Sequence, residues 1–474
     1  MPRQRDDRVY LVFNGIAPLL LDGIARELQE NRGVEAIGAT VTDERTAEWL
    51  RTESPVEYGP IHRQATVRDE WVPAEPDEDT LRAIEEKYGR PFGYPYVLAD
   101  ESLVSKTHHN QQRALQGWFD FYQAVFDRFD PDLLLTNMVD STAAMVPYEL
   151  VQSYGSTALW WKGTRVRNRH AVLENTPYDD LTAVHELYRA FCSGEQSVED
   201  FPKVKSAAED YRRELGKSGT KPGYFERRAK TFESPLRMAQ RSIERALTGG
   251  GHFGPNSLVK SASDAVRRAY VATRYIEPLR PREQFVYFPL HAQPEPSTGV
   301  LAPMHLNQAA LVEQVSRSLP MTHKLYVKEH PRMFRDNPRA VRTYRQITSL
   351  PNVRLIEVGT DSHSLIADSD AVVTPTGTPA FEAVLSGKPA ITCGEAHFNV
   401  LSGVSNCRTP SDLASVINAV LFDHEHDERD TLRYLTAIFA RSVELPADVF
   451  GLDREEQRRS AELLYPLVDR RLDQ

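Results

Sequence analysis

The 474-residue chain has few cysteines and no long apolar run, and each of these absences excludes a class of protein. Its three cysteines, Cys192, Cys393 and Cys407, are odd in number and widely spaced, so they predict neither a disulfide framework nor a Cys-x-x-Cys zinc site. No stretch approaches the ~20 consecutive apolar residues that a membrane-spanning helix requires. We therefore expect a cytoplasmic protein from a reducing compartment.

Basic residues are also in the minority, because 57 Lys and Arg stand against 67 Asp and Glu, for a formal net charge of −10. Nucleic-acid binding depends on a basic surface that releases counterions, so we expect no nucleic-acid partner. The segment from Lys203 to Arg282 is the exception, with 18 basic and 8 acidic residues and helical spacing around Val204–Leu215 and Pro235–Leu247. It has two interpretations, a solvated helical linker or a face for peripheral contact with an anionic membrane or an anionic acceptor.

The first half of the chain has an α/β pattern. Its first apolar run, Val9 to Leu21, is broken by Asn14, Gly15 and Pro18 and lacks a small-x-small cleavage site, which predicts a strand over Val9–Phe13 and not a signal peptide. The proline-rich residues 55 to 110 are expected to be irregular. The other predicted elements are the helices Leu20–Gln29 and Gln111–Phe129 and the strands Ala36–Val41, Leu133–Thr136 and Ala158–Trp161.

After Arg282 short strands and helices alternate regularly, which predicts a parallel, doubly wound sheet. The predicted strands are Phe285–Phe288, Lys324–Lys328, Val353–Ile356, Ala371–Thr374 and Ala390–Thr392. The predicted helices are His305–Leu319, Pro338–Leu350, Ser362–Ala367, Thr378–Ser386 and Ser411–Leu421. We expect four parts: an α/β domain over 1–202, a basic helical insert over 203–282, a Rossmann-like domain over 283–423, and a helical tail without strands over 424–474.

Ligands of doubly wound sheets bind beyond the carboxyl ends of the strands, and three polar loops follow strands of the second half. The first is Glu329-His330-Pro331, where proline fixes the backbone beside a histidine that can bind an anion. The alternative for His330 is an ordinary surface histidine. The second loop runs from Pro289 to Thr298 and contains His291 and Glu295 between prolines, which is typical of a rigid binding loop at a domain junction.

The third loop, from Thr374 to Pro379, leads a strand into a helix through threonine hydroxyls and Gly377. Hydroxyls and free backbone N–H groups then meet at the positive end of the helix dipole, which favours a phosphate. Glu382, one turn into this helix, could reach a ribose diol. The alternative is a threonine that only caps the helix. This turn matches neither G-x-x-x-x-G-K-[ST] nor G-x-G-x-x-G.

Taken in order, the segments YFPLHAQPEPST, LYVKEHP and VVTPTGTPAFEAVLSGKPAITCG resemble the capsular-polysaccharide-synthesis glycosyltransferases, which have the two-domain GT-B architecture. The match covers about residues 284–400. The His-Pro pair and the following hydroxyl-rich turn are also similar to bacterial sialyltransferases and Kdo transferases, in which they hold the nucleotide phosphate of a CMP-sugar. The resemblance implies that His330 and the turn Thr376–Thr378 bind the donor phosphate and that Glu382 binds the ribose.

These observations predict a GT-B-like α/β fold of two Rossmann-like domains, the second of which binds a nucleotide-sugar while the first faces the acceptor. The predicted donor-binding residues are Glu295, Lys328, Glu329, His330, Thr374, Thr376, Gly377, Thr378 and Glu382. The predicted catalytic residues are His291 and Asp140. Asp140 follows a buried strand and is the favoured base or nucleophile, ahead of Asp22 and Glu149; the alternative is that it only caps the helix from Ser141 onward.

The leading hypothesis is a transferase that moves a sugar, CMP-linked by the resemblance, to a surface polysaccharide or glycolipid acceptor. No D-x-D metal motif follows the carboxyl end of a predicted strand, so we expect no metal and no cofactor, with protein groups and helix dipoles stabilising the leaving phosphate. Three alternatives stay open: a CDP-polyol phosphotransferase of the teichoic-acid type, a non-catalytic sugar-nucleotide-binding scaffold of an export system, and a UDP-sugar epimerase. Retention and inversion at the anomeric carbon are both compatible with the sequence.

Overall fold

The computed structural model describes residues 8–15, 17–88, 94–100, 102–176, 180–215, 255–280, 282–425, 427–446 and 452–472. The predicted helix Pro235–Leu247 lies outside these ranges. The chain divides into two compact units. The first unit comprises Met1–Glu209, Pro294–Leu301 and Leu432–Gln474, and the second comprises Asp210–Gln293 and Ala302–Thr431.

Each unit is built on a seven-stranded sheet. In chain order the strands are β1 (Arg8–Val12), β2 (Ala36–Val41), β3 (Tyr58–Arg63), β4 (Leu133–Thr136), β5 (Thr157–Gly163), β6 (Arg169–Glu174), β7 (Ile276–Glu277), β8 (Phe285–Pro289), β9 (Lys324–Lys328), β10 (Val353–Ile356), β11 (Ala371–Thr374), β12 (Ala390–Thr392), β13 (Val404–Asn406) and β14 (Val443–Glu444).

The described helices surround these sheets. They are α1 (Pro18–Arg32), α2 (Glu44–Thr52), α3 (Gln64–Thr66), α4 (Glu78–Tyr88), α5 (Tyr94–Ala99), α6 (His108–Phe129), α7 (Thr142–Leu150), α8 (Thr182–Ser193), α9 (Pro202–Leu215), α10 (Pro255–Arg274), α11 (Pro296–Gly299), α12 (Gln308–Ser318), α13 (Pro331–Asp336), α14 (Val341–Thr348), α15 (Ser362–Asp368), α16 (Thr378–Leu385), α17 (Leu413–Phe422), α18 (Glu428–Ala440) and α19 (Arg454–Leu472). Among the described residues, no helix is both long and apolar enough to cross a membrane.

The first sheet has the order β14-β6-β5-β4-β1-β2-β3. Strands β1 to β5 are parallel, whereas β6 and β14 are antiparallel to their neighbours. The apolar run of β1 is buried from Val9 to Val12 and pairs with β2 on one side and β4 on the other. The next strands in the chain, β2 and β3, are added on one side of β1, and β4 and β5 are added on its other side. The topological switch point therefore lies between the carboxyl ends of β1 and β4.

The C-terminal helix α19 completes the core of this first unit. Ala461, Leu464 and Val468 belong to the same apolar cluster as Leu20 and Leu21 of α1. The two helices approach closely at Gly23, because a β-carbon there would lie only 2.6 Å from the β-carbon of Ala461. A side chain at position 23 would thus force the helices apart.

The second sheet is parallel throughout, in the order β13-β12-β11-β8-β9-β10-β7. Strand β8 is buried along its whole length and pairs with β9 and β11. Its switch point therefore lies between the carboxyl ends of β8 and β11. The predicted α/β class, with a parallel doubly wound sheet in the second half, is confirmed.

Two expectations from the sequence were wrong. Residues 55 to 110, expected to be irregular, contain β3 and the helices α3 to α5. Strand β3 carries Gly59 and Pro60, which hide its signal, but it lies at the edge of the sheet, where proline costs no ladder hydrogen bond. The tail 424–474, expected to lack strands, contributes β14, whose two residues are too few to show a period.

Candidate functional site

A histidine and a threonine meet at the switch point of the second unit. Nε2 of His291, two residues beyond β8, lies 2.9 Å from Oγ1 of Thr374, the last residue of β11. The His291 backbone is fixed by Gln308 of α12, whose Oε1 accepts the His291 N–H at 2.7 Å and whose Nε2 donates to the His291 carbonyl at 3.3 Å. Both side chains are buried, so this pair joins neighbouring strand ends in one defined geometry.

The turn after β11 leads directly into α16. The Gly377 N–H donates to Thr374 Oγ1 at 3.2 Å, and Gly377 is the N-cap of the helix, with Pro379 in its first turn as predicted. A β-carbon on Gly377 would lie 2.7 Å from Thr374 Oγ1 and 3.1 Å from His291 Nε2. The turn therefore needs glycine here because the His291 ring approaches its backbone. Thr376 is buried and Thr378 is half-buried.

This turn has the properties of an anion site. The first N–H groups of an α-helix have no partner within the helix, and the dipole gives that end partial positive charge. Beside the N-terminus of α16 stand the Thr374 hydroxyl and the His291 ring, both held by the contacts above. Hydroxyl, imidazole and backbone N–H groups together can hold the oxygens of a phosphate.

Glu329 and His330, the two predicted residues after β9, have different roles. Glu329 is fully buried, and its carboxylate accepts from the His330 N–H at 2.6 Å, Arg339 Nε at 2.8 Å and the Tyr344 hydroxyl at 3.0 Å. Its oxygens are thus engaged inside the unit. His330 is the N-cap of α13, and its Nδ1 accepts the Arg332 N–H at 3.2 Å. The neutral His330 ring therefore carries its proton on Nε2.

Lys328 and Glu382 belong to a buried charged cluster near the start of α15. The Lys328 ammonium donates to the Thr360 carbonyl at 2.5 Å and to Ser362 Oγ at 2.7 Å. Burial, and then the charge of Asp361, raise the pKa of Glu382 to about 8, while Lys328 opposes that shift. Burial lowers the pKa of Lys328 to about 8 against the two carboxylates. Glu382 thus holds its proton to a higher pH than an ordinary glutamate, and in its protonated form the carboxyl can both donate and accept hydrogen bonds.

His363, which the sequence did not single out, also belongs to this cluster. Its Nδ1 lies 3.7 Å from Oε2 of Glu382. It stands in the first turn of α15, and Asp361 caps that helix by accepting the Ser364 N–H at 2.8 Å. A lone histidine in a helix gives no sequence signal, because only the packing of α15 beside α16 brings it to Glu382.

A second polar group occupies the switch point of the first unit. Asn14 follows β1, and its Nδ2 donates to Oδ1 of Asp140, which follows β4. Ser141 Oγ donates to Asn14 Oδ1 at 3.2 Å, and the Asn14 N–H donates to Asn137 Oδ1 at 3.3 Å. The sequence pointed to Asp140 but not to Asn14 or Asn137, although both are polar residues within two positions of the end of a buried strand.

The environment of Asp140 favours proton transfer near neutral pH. Burial raises the pKa of this carboxyl to about 6; the charge of Asp100 adds to the shift, and the hydrogen bond from Asn14 opposes it. Asp140 does not cap α7: Ser141 is the N-cap, and the Thr142 N–H donates to Oδ2 of Asp100 at 3.1 Å. The carboxylate is therefore not committed to the helix end.

The remaining candidates lie elsewhere. Asp22 accepts from Ser54 Oγ at 2.6 Å and from the Tyr58 hydroxyl at 2.9 Å, and Glu149 accepts from the Tyr96 hydroxyl. Glu295 accepts from Ser297 Oγ at 3.0 Å and belongs to the Pro294–Leu301 segment of the first unit, whereas the other predicted donor residues belong to the second unit. Within the described part of the chain, no three His, Cys, Asp or Glu side chains are grouped so that they could hold a metal ion.

Comparison with known proteins gives one family match. Residues 305–421 match the family model described as capsule polysaccharide biosynthesis protein. This region contains His330, the turn after β11 and Glu382 but neither His291 nor Asp140. A search of curated proteins found no match.

Solved structures that resemble the chain have low sequence identity. The KpsC beta Kdo 2,7 transferase of Thermosulfurimonas dismutans is 14% identical over 72% of this chain and 88% of that one, with a TM-score of 0.34. The KpsC beta Kdo 2,4 transferase of the same organism is 13% identical over 65% and 79%, with a TM-score of 0.36. The UDP-GlcNAc 2-epimerase of Neisseria meningitidis is 12% identical over 98% and 100%, with a TM-score of 0.30.

Proposed function

We propose that this chain is a glycosyltransferase of capsule or other surface polysaccharide synthesis, which transfers a sugar from a nucleotide-sugar donor to a glycan or lipid-linked acceptor. The observation that carries the proposal is the turn Thr374–Thr378, where His291, Thr374 and Gly377 form an anion site at a switch point. The turn lies within the region that matches the capsule polysaccharide biosynthesis family.

In this proposal the second unit binds the donor. The N–H groups at the N-terminus of α16 and the hydroxyls of Thr376 and Thr378 donate hydrogen bonds to the phosphate oxygens, and His330 donates another from Nε2. His291 faces the same turn and stabilises the negative charge that develops on the leaving phosphate. Glu382 binds the ribose hydroxyls, because its protonated carboxyl can donate a hydrogen bond to one hydroxyl and accept one from another. Lys328 contributes positive charge beside Glu382.

The nucleotide and its phosphate site are tested together by thermal shift. A ligand that binds only the folded protein raises its stability by RT ln(1 + [L]/Kd), about 2.7 kcal/mol at a hundredfold excess over Kd. We expect one of CMP, CDP, UDP, GDP and dTDP to raise the melting temperature, with CMP first among them. His330→Ala and Thr376→Ala should each weaken that nucleotide by about 1.5–3 kcal/mol, the value of a charge-assisted hydrogen bond.

The control for these variants is His108→Ala, which removes an exposed histidine of the first unit. It should bind nucleotide like the wild type. If both site variants keep their melting temperature and their nucleotide affinity, the phosphate assignment is wrong. Stabilisation by none of the five nucleotides would contradict the proposed donor class.

We further propose that transfer needs no metal ion. No D-x-D triplet follows the carboxyl end of a described strand, and the α16 N-terminus together with histidine side chains can neutralise the leaving phosphate. Activity should therefore persist after dialysis against excess EDTA. Complete loss of turnover that Mg²⁺ or Mn²⁺ restores would show that a metal carries this role.

The acceptor would place the enzyme at the inner face of the cell membrane, and we propose that the basic segment Lys203–Arg282 makes peripheral contact there. Each Lys or Arg near an anionic leaflet contributes roughly 1 kcal/mol within a Debye length. We expect co-sedimentation with anionic vesicles at low salt and release at high salt. Changing Arg237, Arg241 and Arg245 to Glu should weaken binding to the anionic vesicles. Equal partitioning onto neutral and anionic vesicles, or none on either, identifies the segment as a solvated linker.

A further inference from the structure

One arginine that the sequence did not single out connects the two strand ends of the candidate donor site. Arg339 lies between α13 and α14. Its Nε donates to Oε2 of Glu329 at 2.8 Å, its Nη1 donates to Oε1 of Gln293 at 2.8 Å, and its Nη2 donates to the carbonyl oxygen of His291. The guanidinium therefore contacts both the residue after β9 and the loop after β8.

The network is buried and it continues beyond the arginine. The side chain of Arg339 is 11% exposed and that of Glu329 only 1%. The other oxygen of Glu329 accepts the backbone N–H of His330. A single ion pair thus fixes the backbone of His330 on one side and, through Arg339, the backbone of His291 on the other.

The chemistry of the pair calls for arginine. Its planar guanidinium presents donors in fixed directions, and here three of its nitrogens donate to acceptors on three different residues. Lysine would keep the positive charge that balances Glu329, but a single ammonium on a flexible stem cannot reproduce this fork. A lysine at position 339 would therefore keep the charge balance with Glu329 but lose the fixed directions of the three hydrogen bonds.

We propose that Arg339 is a positioning residue, which holds His291 against Thr374 and Gly377 so that the phosphate site is formed before the donor arrives. This inference rests on the proposed function for its link to donor binding. Its structural part, the dependence of the His291–Thr374 contact on Arg339, stands on the geometry alone. Arg339 itself contacts neither Thr374 nor the turn, so its effect passes through the His291 backbone.

The test compares Arg339→Lys with the matched control Arg335→Lys, because Arg335 is an exposed arginine paired only locally with Asp336. Two measurements are made: CMP affinity by calorimetry, and the ¹⁵N chemical shifts of the His291 ring, which report its tautomer and its hydrogen bond. Arg339→Lys should lower CMP affinity about tenfold, the worth of one hydrogen bond to a charged group, and move the His291 resonances. Arg335→Lys should change neither.

Arg339→Ala adds a rescue measurement. Removing the cation leaves the buried Glu329 charge unpaired and destabilises the unit, so loss of CMP binding in this variant would not alone show positioning. Guanidinium ion at millimolar concentration should restore the wild-type His291 resonances, whereas ammonium ion should not. If Arg339→Lys leaves the His291 resonances unchanged, the proposal is overturned whatever the CMP affinity of the variant.

The two measurements also distinguish this proposal from the proposed function. If the wild type binds no CMP, the assignment of a CMP donor fails, while the His291 resonances of Arg339→Lys still decide whether Arg339 positions the ring. If CMP binds but the resonances stay unchanged, the donor site survives and the positioning role is wrong.

Discussion

Asp140→Asn is expected to lower kcat by about 10²–10⁴, the range that a positioned general base contributes, while nucleotide affinity stays at the wild-type value. Asp140 is the carboxyl at the switch point of the first unit, and its burial raises its pKa to about 6. Whether it acts as base or as nucleophile, only its ionised form can serve. Steady-state kinetics with a separate nucleotide titration would measure both quantities.

The raised pKa of Asp140 also predicts how the rate depends on pH. Below pH 6 Asp140 is protonated and inactive, so kcat/KM should rise through about pH 6 and level off above it. Asn14→Ala removes a hydrogen bond that favours the charged form, so it should move this limb to higher pH. Asp69→Asn, at an exposed aspartate of the same unit, should change neither rate nor profile. If the Asp140→Asn enzyme still shows the rise of kcat/KM through about pH 6, the essential carboxylate is a different residue.

Gly377→Ala is expected to weaken nucleotide binding by about 1–3 kcal/mol, the cost of leaving a buried polar group without its partner. The new methyl group would stand 2.7 Å from Thr374 Oγ1 and 3.1 Å from His291 Nε2. The Thr374 hydroxyl belongs to a buried strand end and cannot move away freely. The His291–Thr374 contact must therefore open, and the turn loses its shape. Isothermal titration with the nucleotide would measure the loss.

The matched control is Gly359→Ala, in the same unit. A β-carbon there would meet only Oε1 of Glu357, at 3.9 Å, so binding and melting temperature should stay unchanged. If Gly377→Ala does not fold, Thr374→Val answers the same question, because it removes the hydroxyl and keeps the side-chain shape. Wild-type nucleotide affinity in Thr374→Val, or in a folded Gly377→Ala protein, would show that this turn is not the phosphate site.

The sequence predicted those parts of the fold whose signal is local. The strands Ala36–Val41, Leu133–Thr136, Lys324–Lys328, Val353–Ile356, Ala371–Thr374 and Ala390–Thr392 have the bounds that the sequence predicted. Each is a short apolar or β-branched run with turn residues beside it. The hydroxyl-rich turn before α16 was recognisable for a similar reason, because threonine, glycine and proline each have a specific backbone preference. Its role in donor binding stays a prediction.

The parts that could not be predicted depend on residues distant in the chain. Arg339 contacts His291, 48 positions earlier, and a single arginine in a loop has no periodicity to reveal this. Asn14 meets Asp140 across 126 positions, because β1 and β4 are neighbours in the sheet although β2, β3 and the helices α1 to α6 lie between them in the chain. Strand order, and with it the switch point, had to come from the structure.

The position of α19 has a consequence for how the chain is made. Domains usually fold during synthesis in order from the N-terminus. Here Ala461, Leu464 and Val468 supply part of the core against α1, yet the ribosome adds them only after the whole second unit. The part of α1 that packs on α19, around Gly23, therefore stays without its native cover until these residues are made. We therefore expect the nascent first unit to expose this part of its core until α19 has left the ribosome, whereas the second unit needs no residue made after it.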